Sequence, residues 1–382
     1  MIPYVSEGQT EGNAEVVSLL ERWLARAKLG QLNYVAISAC EGPVHVYSDH
    51  AGLEGMEFAA NFGCDMVKSQ LLHRKVNKDP PQIKTNVPAD RFIWLATKAP
   101  ACFDFFPWLI LAEMMRMREK APAPLKIGFY FGKDGDLERT LQTTQRRAMY
   151  QNVIKPALRF VDAVEDPTVL DHGRIMERYT FIDIVKACRL GEDVPLLIPS
   201  AAAVKAIEEA LHLNGRDPQR PVTITLREAA YSSHRNSNMV EWLRFAEYLQ
   251  AQGERVLFVR DTKFAVDPID GYETCPAASI DIDVRLALYE SAKCNLFVSN
   301  GPWSLALFGS KPWLMFNQID AMDPYPPNTN QWWVNFHGIG VGEQFPWSRP
   351  DQRIVWLKDT FVDMCAAWEN LEPLLAIKHA AE

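Results

Sequence analysis

The chain has 382 residues, with 40 Lys and Arg against 48 Asp and Glu, for a formal net charge of −8 at pH 7. A hydrophobic share of 48% excludes extended disorder, and the acidic balance excludes a nucleic-acid coat, which needs a basic face to displace counterions. At roughly 100–200 residues per domain, this length predicts two domains. Residues 1–15 carry no basic stretch ahead of an apolar run, so no secretory leader is expected. The apolar stretch from Phe103 is too short to span a bilayer, which takes about 20 residues. The seven cysteines are scattered and never spaced C-x-x-C, which predicts reduced thiols in a cytoplasmic protein and leaves peripheral attachment at the inner membrane face open.

In chain order, helical spacing over 13–30 predicts a first helix, capped by Asn13 and closed by Gly30. Strand-like runs follow from Asn33, Val44, Arg91 and Lys126, with a long apolar helix predicted over 103–120 and another over 139–160. This alternation predicts an α/β layered domain with a largely parallel sheet. The polar stretch GRDPQRP reads as a linker, which places the division at 1–215 and 216–382. The second half gives the clearer pattern: PVTITLRE, ERVLFVRDT, CNLFVSNG and KPWLMFN are strands separated by three helices, and RIVWL adds a fifth. Such β-α units predict a Rossmann-like sheet. The last helix, over about 359–376, is free to pack back on the N-terminal domain.

In open α/β sheets, ligands collect outside the carboxyl ends of the strands, beside helix N-termini. The first of these ends carries Arg227 and, in the loop behind it, Arg235, Asn236 and Asn238; the second carries Asp261 and Thr262; the third carries Ser299, Asn300, Gly301 and Pro302. This set suits a nucleotide diphosphate. Gly301 permits close backbone approach, and Pro302 opens a helix whose N–H groups and dipole favour an anion. The alternative for Arg227 is an ion pair with Glu228 or Asp261; Asn236 or Ser237 capping a helix is the alternative for that loop, and Asp261 capping a loop is the alternative for the second end. Asp134 with Asp136, and Asp281 with Asp283, are D-x-D pairs that read better as a turn and a helix cap than as a metal site, so no metal is expected. Five of the 11 tryptophans fall between 303 and 347. Trp303 and Trp313 read as core, and Trp332 and Trp333 as candidates for stacking on a sugar or base.

VSNGPWSLALFGSKPWLMF, within 221–316, resembles the heptosyltransferase-type pattern of GT-B glycosyltransferases, in which a strand ends in a Gly-Pro turn ahead of a short helix and a Lys-Pro strand. The resemblance implies two Rossmann-like α/β domains facing each other across a cleft. It also implies a metal-independent, cofactor-free glycosyltransferase whose co-substrate is a nucleotide-sugar and whose acceptor is a glycan, lipid or protein in surface glycan assembly. Ser299, Asn300, Gly301 and Pro302 would hold the donor diphosphate. By the fucosyltransferase-like pattern, Arg227 or Arg235 would face its phosphate. Asn300 departs from the family's acidic-serine pair, and the fucosyltransferase H-x-R spacing is absent. The catalytic base would come from the N-terminal domain, with Asp49 and His50 after a strand as candidates and Glu113 behind them. A polysaccharide pyruvyl transferase or epimerase-like enzyme on the same fold, and a non-catalytic sugar- or nucleotide-binding scaffold in a glycan-assembly complex, are the alternatives.

Overall fold

A strand covered by helices on both sides needs apolar residues on both faces, and PVTITL, RVLFV, CNLFV and PWLMF all have them. The computed structural model describes residues 87–96, 101–130, 148–176, 181–212, 219–230, 232–317, 319 and 328–379, with the backbone pairing of 35–38 and 45–48. The first predicted helix and the candidates Asp49, His50, Asp134 and Asp136 lie outside the described residues.

In the N-terminal half, β1 (Val35–Ser38) and β2 (His45–Ser48) pair antiparallel as a separate two-stranded sheet, with Val35 opposite Ser48. They do not join the parallel sheet as expected, because the 39–44 link is far shorter than the dozen or more residues a parallel crossover takes. The parallel sheet here has four strands in the order β5-β4-β3-β6: β3 is Arg91–Leu95, β4 Leu125–Tyr130, β5 Ala163–Glu165 and β6 Arg174–Ile175. Helix α1 (Phe105–Arg118) connects β3 to β4 and buries every residue from Phe105 to Met114, as a helix covered on all sides must. The helix predicted over 139–160 is irregular where it is described. A π turn at Tyr150–Ile154 leads to Lys155–Ala157 and a 3-10 turn at Leu158–Val161. Pro156, which lacks an N–H and crowds the preceding turn, accounts for the departure from regular α geometry.

Helices α2 (Phe181–Arg189) and α3 (Ala201–Ala210) lead into the C-terminal sheet, whose six parallel strands run β12-β11-β10-β7-β8-β9. They are β7 (Val222–Thr225), β8 (Val256–Val259), β9 (Glu273–Thr274), β10 (Cys294–Val298), β11 (Trp313–Phe316) and β12 (Gln352–Val355). Counted from β7, this is the doubly wound order 3-2-1-4-5-6, with its switch point between β7 and β10. Only β9 was unforeseen; two residues on an edge are too short to leave a pattern.

Alternate residues divide cleanly between the two faces. Val222, Ile224, Phe258, Leu296, Leu314 and Phe316 pack with Trp242, Phe245 and Leu249 of α4 (Met239–Ala251) and with Trp368 and Leu371 of the last helix. On the other face, Phe297, Trp313 and Met315 join the core that holds Phe92, Trp94 and α1 of the N-terminal half. One apolar core therefore runs through both halves, and Trp94 meets Phe105 and Trp108 edge-on at 5.0 and 5.1 Å within it.

Helix α3 packs with Leu257, Val259, Ala287 and Leu288 of the C-terminal half. The last helix, Phe361–His379, buries Met364, Trp368, Leu371 and Leu375 in the C-terminal core instead of returning to the N-terminal half. Buried Asp359 fixes its approach: Oδ2 accepts the Asn238 backbone N–H and the Trp242 Nε1–H, both at 2.8 Å. Asp359→Ala strands the buried Trp242 Nε1–H and the part-buried Asn238 N–H, and urea unfolding is expected to show a loss of about 2 kcal/mol.

Candidate functional site

The two strands that flank the switch point, β7 and β10, are both continued by polar residues at their carboxyl ends. After β7 come Leu226, buried, and Arg227, whose side chain is only 5% exposed. Arg227 does not pair with Glu228. Its Nη1 donates to the Ser232 carbonyl at 2.9 Å and to Asn236 Oδ1, while its backbone N–H donates to Ser237 Oγ at 2.9 Å. Asn236 also accepts the Ala229 N–H at 3.1 Å and returns its own amide hydrogen to the Ala229 carbonyl at 2.9 Å. Asn236 and Ser237 therefore shape the loop around Arg227 instead of capping α4. At the cap position itself stands Asn238, exposed and with no side-chain cap bond.

Glu228 pairs with Arg260 at the end of β8, Nε to Oε2 at 3.1 Å and Nη2 to Oε1 at 2.5 Å. Asp261 Oδ2 accepts the Glu228 N–H at 2.7 Å, which ties the ends of β7 and β8 together. Burial pushes its carboxyl above the usual range, offset in part by that hydrogen bond and by the charges of Arg285 and Arg227. Thr262 spends its hydroxyl on the carbonyl of Ser279, in helix α5 (Pro276–Ile280), at 2.9 Å. In this structure Asp261 and Thr262 thus brace the loops.

Arg235 closes the switch point. Half-buried at the end of a short 3-10 turn (Ser233–Arg235), it reaches across to β10, with Nη2 3.2 Å from the Ser299 carbonyl oxygen and 3.4 Å from Ser299 Oγ. Asn300 Nδ2 lies 3.5 Å from the Thr225 carbonyl, a second link between the same two strand ends.

The turn of Ser299, Asn300, Gly301 and Pro302 leads into helix α7 (Trp303–Leu307). The first donors of the helix are used within it: the Trp303 N–H bonds Asn300 Oδ1 at 3.0 Å, Ser304 N–H the Gly301 carbonyl at 3.0 Å, and Leu305 N–H the Pro302 carbonyl at 3.1 Å. Asn300 is a cap, and Pro302 has no N–H to give. Gly301 does not need glycine for its backbone angles; what fills the space beside it is the ring of Phe103, 2.6 Å from where a Cβ would sit. The cationic side chains beside this turn are Arg227 and Arg235.

The tryptophans divide as well. Trp303 and Trp313 are core, as expected, with their rings 5.6 Å apart. Trp333 is 1% exposed and gives its Nε1–H to Asn328 Oδ1 at 2.7 Å, which removes it from ligand stacking. Trp332 is half-buried against Phe336 and His337, on helix α8 (Asn330–His337).

The D-x-D pair before helix α6 (Ile282–Ser291) is structural. Asp281 caps the helix by accepting from Asp283 N at 2.8 Å and Val284 N at 3.2 Å. Asp283 accepts from Ser200 N at 2.9 Å and Ser200 Oγ at 2.6 Å, and pairs with Arg159 at 3.2 Å. No group of three or more His, Cys, Asp or Glu side chains gathers at metal-binding distance among the described residues. Glu113 lies on α1, paired with Arg116 Nη2 at 2.5 Å. No helix among the described residues is long and apolar enough to cross a membrane.

No family model matches the chain, and no curated protein matches it. Among solved structures it is similar to the ADP-heptose LPS heptosyltransferase II of E. coli, at 10% identity over 76% of this chain and 99% of that one, with a TM-score of 0.43. An E. coli heptosyltransferase solved with ADP-2-deoxy-2-fluoro heptose gives 13% identity over 74% and 99%, with a TM-score of 0.38. A glycosyl transferase family 9 protein of Veillonella parvula gives 10% over 70% and 79%, with a TM-score of 0.34.

Proposed function

We propose that the chain is a glycosyltransferase of the GT-B type that binds a nucleoside-diphosphate sugar at the switch point of its C-terminal sheet and transfers the sugar to an acceptor held by the N-terminal half. The observation that carries this reading is Arg235 reaching from the loop after β7 to Ser299 after β10, with buried Arg227 behind it. A doubly wound sheet parts its loops at this point, so a ligand that settles there meets the Arg235 guanidinium and the field of the Arg227 guanidinium buried behind it. Guanidinium is the side-chain cation best matched to phosphate oxygens, and two of them suit a diphosphate.

In the reaction, the bond between the sugar's anomeric carbon and the diphosphate oxygen breaks as an acceptor hydroxyl oxygen bonds that carbon. The acceptor proton passes to a base, and the negative charge that builds on the leaving diphosphate is stabilised by the two arginines in place of a metal ion. Asp49 and His50 are the base candidates of this proposal; surface glycan assembly is the setting the sequence resemblance suggests, and the scattered cysteines suit a cytoplasmic one. Acceptor and nucleotide are open, which makes the first test a thermal-shift screen of UDP, GDP, CMP, ADP and their sugars. A ligand present at 100 times its Kd is expected to stabilise the fold by about 2.7 kcal/mol. If none of them raises the melting temperature, the donor-site reading is wrong.

A further inference from the structure

The geometry points to Phe103, a residue of the N-terminal half, as the aromatic face on which the donor's sugar rests, an inference that builds on the donor-site reading above. Phe103 stands between the carboxyl end of β3 and the start of α1, and its ring crosses to the opposite sheet to lie against Gly301. An ideal Cβ on Gly301 would sit 2.6 Å from Phe103 Cδ2, 2.9 Å from Cγ and 3.1 Å from Cβ. Gly301 is absent from the glycines with positive φ, so the ring and not the backbone is what keeps a side chain out of this position. The carboxyl edges of both sheets therefore meet at this contact, two residues along the chain from the Ser299 oxygens that Arg235 reaches.

Phe103 is only half-buried. One side of it is taken by Phe106, whose ring centroid is 5.7 Å away at 32°. On the donor-site reading, a sugar joined to a diphosphate at Arg235 and Ser299 has Gly301 and this ring as neighbours two residues further along the same turn. Its C–H face packs on an aromatic surface as other apolar groups do. The two tryptophans first considered for this role are placed differently: Trp333 is buried, and Trp332 is packed against Phe336 and His337. Because Phe103 comes from the acceptor-side half, sugar contact would also sense how the two halves sit together.

Calorimetric titration of the full chain with matched pairs, UDP with UDP-glucose, GDP with GDP-mannose and ADP with ADP-glucose, tests this. For the pair that binds, Phe103→Ala is expected to weaken the nucleotide-sugar about tenfold and to change the bare nucleotide by less than about twofold. Phe103→Tyr should restore the sugar's contribution, while Phe103→Leu, apolar without a ring face, should not. Gly301→Ala, which must push the ring aside, should reproduce the Phe103→Ala pattern. Equal weakening of both ligands, no change in either, or tighter binding of both would each overturn the assignment, the last by making the ring a cover rather than a platform. If the wild-type chain binds no member of any pair, the donor-site reading itself fails and this one falls with it. Circular dichroism of each variant separates these outcomes from loss of fold.

Discussion

Arg227→Met is expected to lower unfolding stability by about 3 kcal/mol, while Arg235→Ala leaves stability within about 0.5 kcal/mol of wild type and weakens nucleotide binding at least about tenfold. The two arginines stand a few residues apart, but their settings differ. Arg227 is nearly enclosed, and the Ser232 carbonyl and Asn236 Oδ1 depend on its donors. Methionine keeps much of the volume and leaves those acceptors short of a partner, so the loop from 228 to 237 loses its frame and any ligand site on it goes too. Arg235 is half-exposed, and its bonds to Ser299 are long, 3.2 and 3.4 Å, as befits a group that can turn toward a ligand. Urea unfolding and nucleotide titration on both variants separate the roles. Should Arg235→Ala unfold as readily as Arg227→Met while still binding nucleotide, Arg235 is a clasp between β7 and β10, and the donor phosphates lie elsewhere.

The C-terminal sheet was legible because each of its strands is a short apolar run between capped helices and most connections are brief, which leaves little choice of topology. The strand order that locates the switch point follows from register, with Val222 beside both Val256 and Cys294, and register is a long-range property that no local pattern contains. In the N-terminal half the same reasoning placed β3, α1 and β4 correctly. β1 and β2 are strands as their residues predict, but local strand propensity carries no information about which partner they pair with.

At the site, residue types were read more accurately than their duties. Arg227, Arg235 and Ser299 do converge, and the spacing of Asn300 to Trp303 matches the side-chain cap that it forms. Gly301 looked like a phosphate-facing glycine because a glycine needed for close packing and one needed for a ligand are identical in sequence. Only the fold brings Phe103, some 200 residues earlier, against it. Trp332 and Trp333 were treated alike, yet consecutive residues on a helix point in different directions, so at most one of them could face the core. Trp333 does, and Trp332 is left at the rim.

That rim predicts acid lability. His337, in the last turn of α8, lies between Trp333, 4.1 Å away and stacked at 24°, and Phe181 of α2, at 4.7 Å, with Trp332 at 4.9 Å. Its Nδ1 is buried with no hydrogen-bond partner among the described residues. Burial pulls its pKa down to about 3 from the ordinary 6.5, against a weaker upward pull from Asp104 and against a helix C-terminus that would favour the cation. A histidine whose folded pKa is depressed stays neutral in the native state while the unfolded chain takes up its proton. Its contribution is therefore complete above pH 6.5 and is lost progressively as the pH falls from there toward 3. At about 1.36 kcal/mol per pH unit, wild-type stability should fall by about 2 kcal/mol more between pH 7 and pH 5 than that of His337→Phe, which keeps the ring stack and cannot titrate. Urea unfolding of both proteins at the two pH values measures the difference. Parallel losses would mean that the imidazole takes up its proton without disturbing the seam between α8 and α2, as it would if the Trp333 and Trp332 faces held the imidazolium as a cation–π partner.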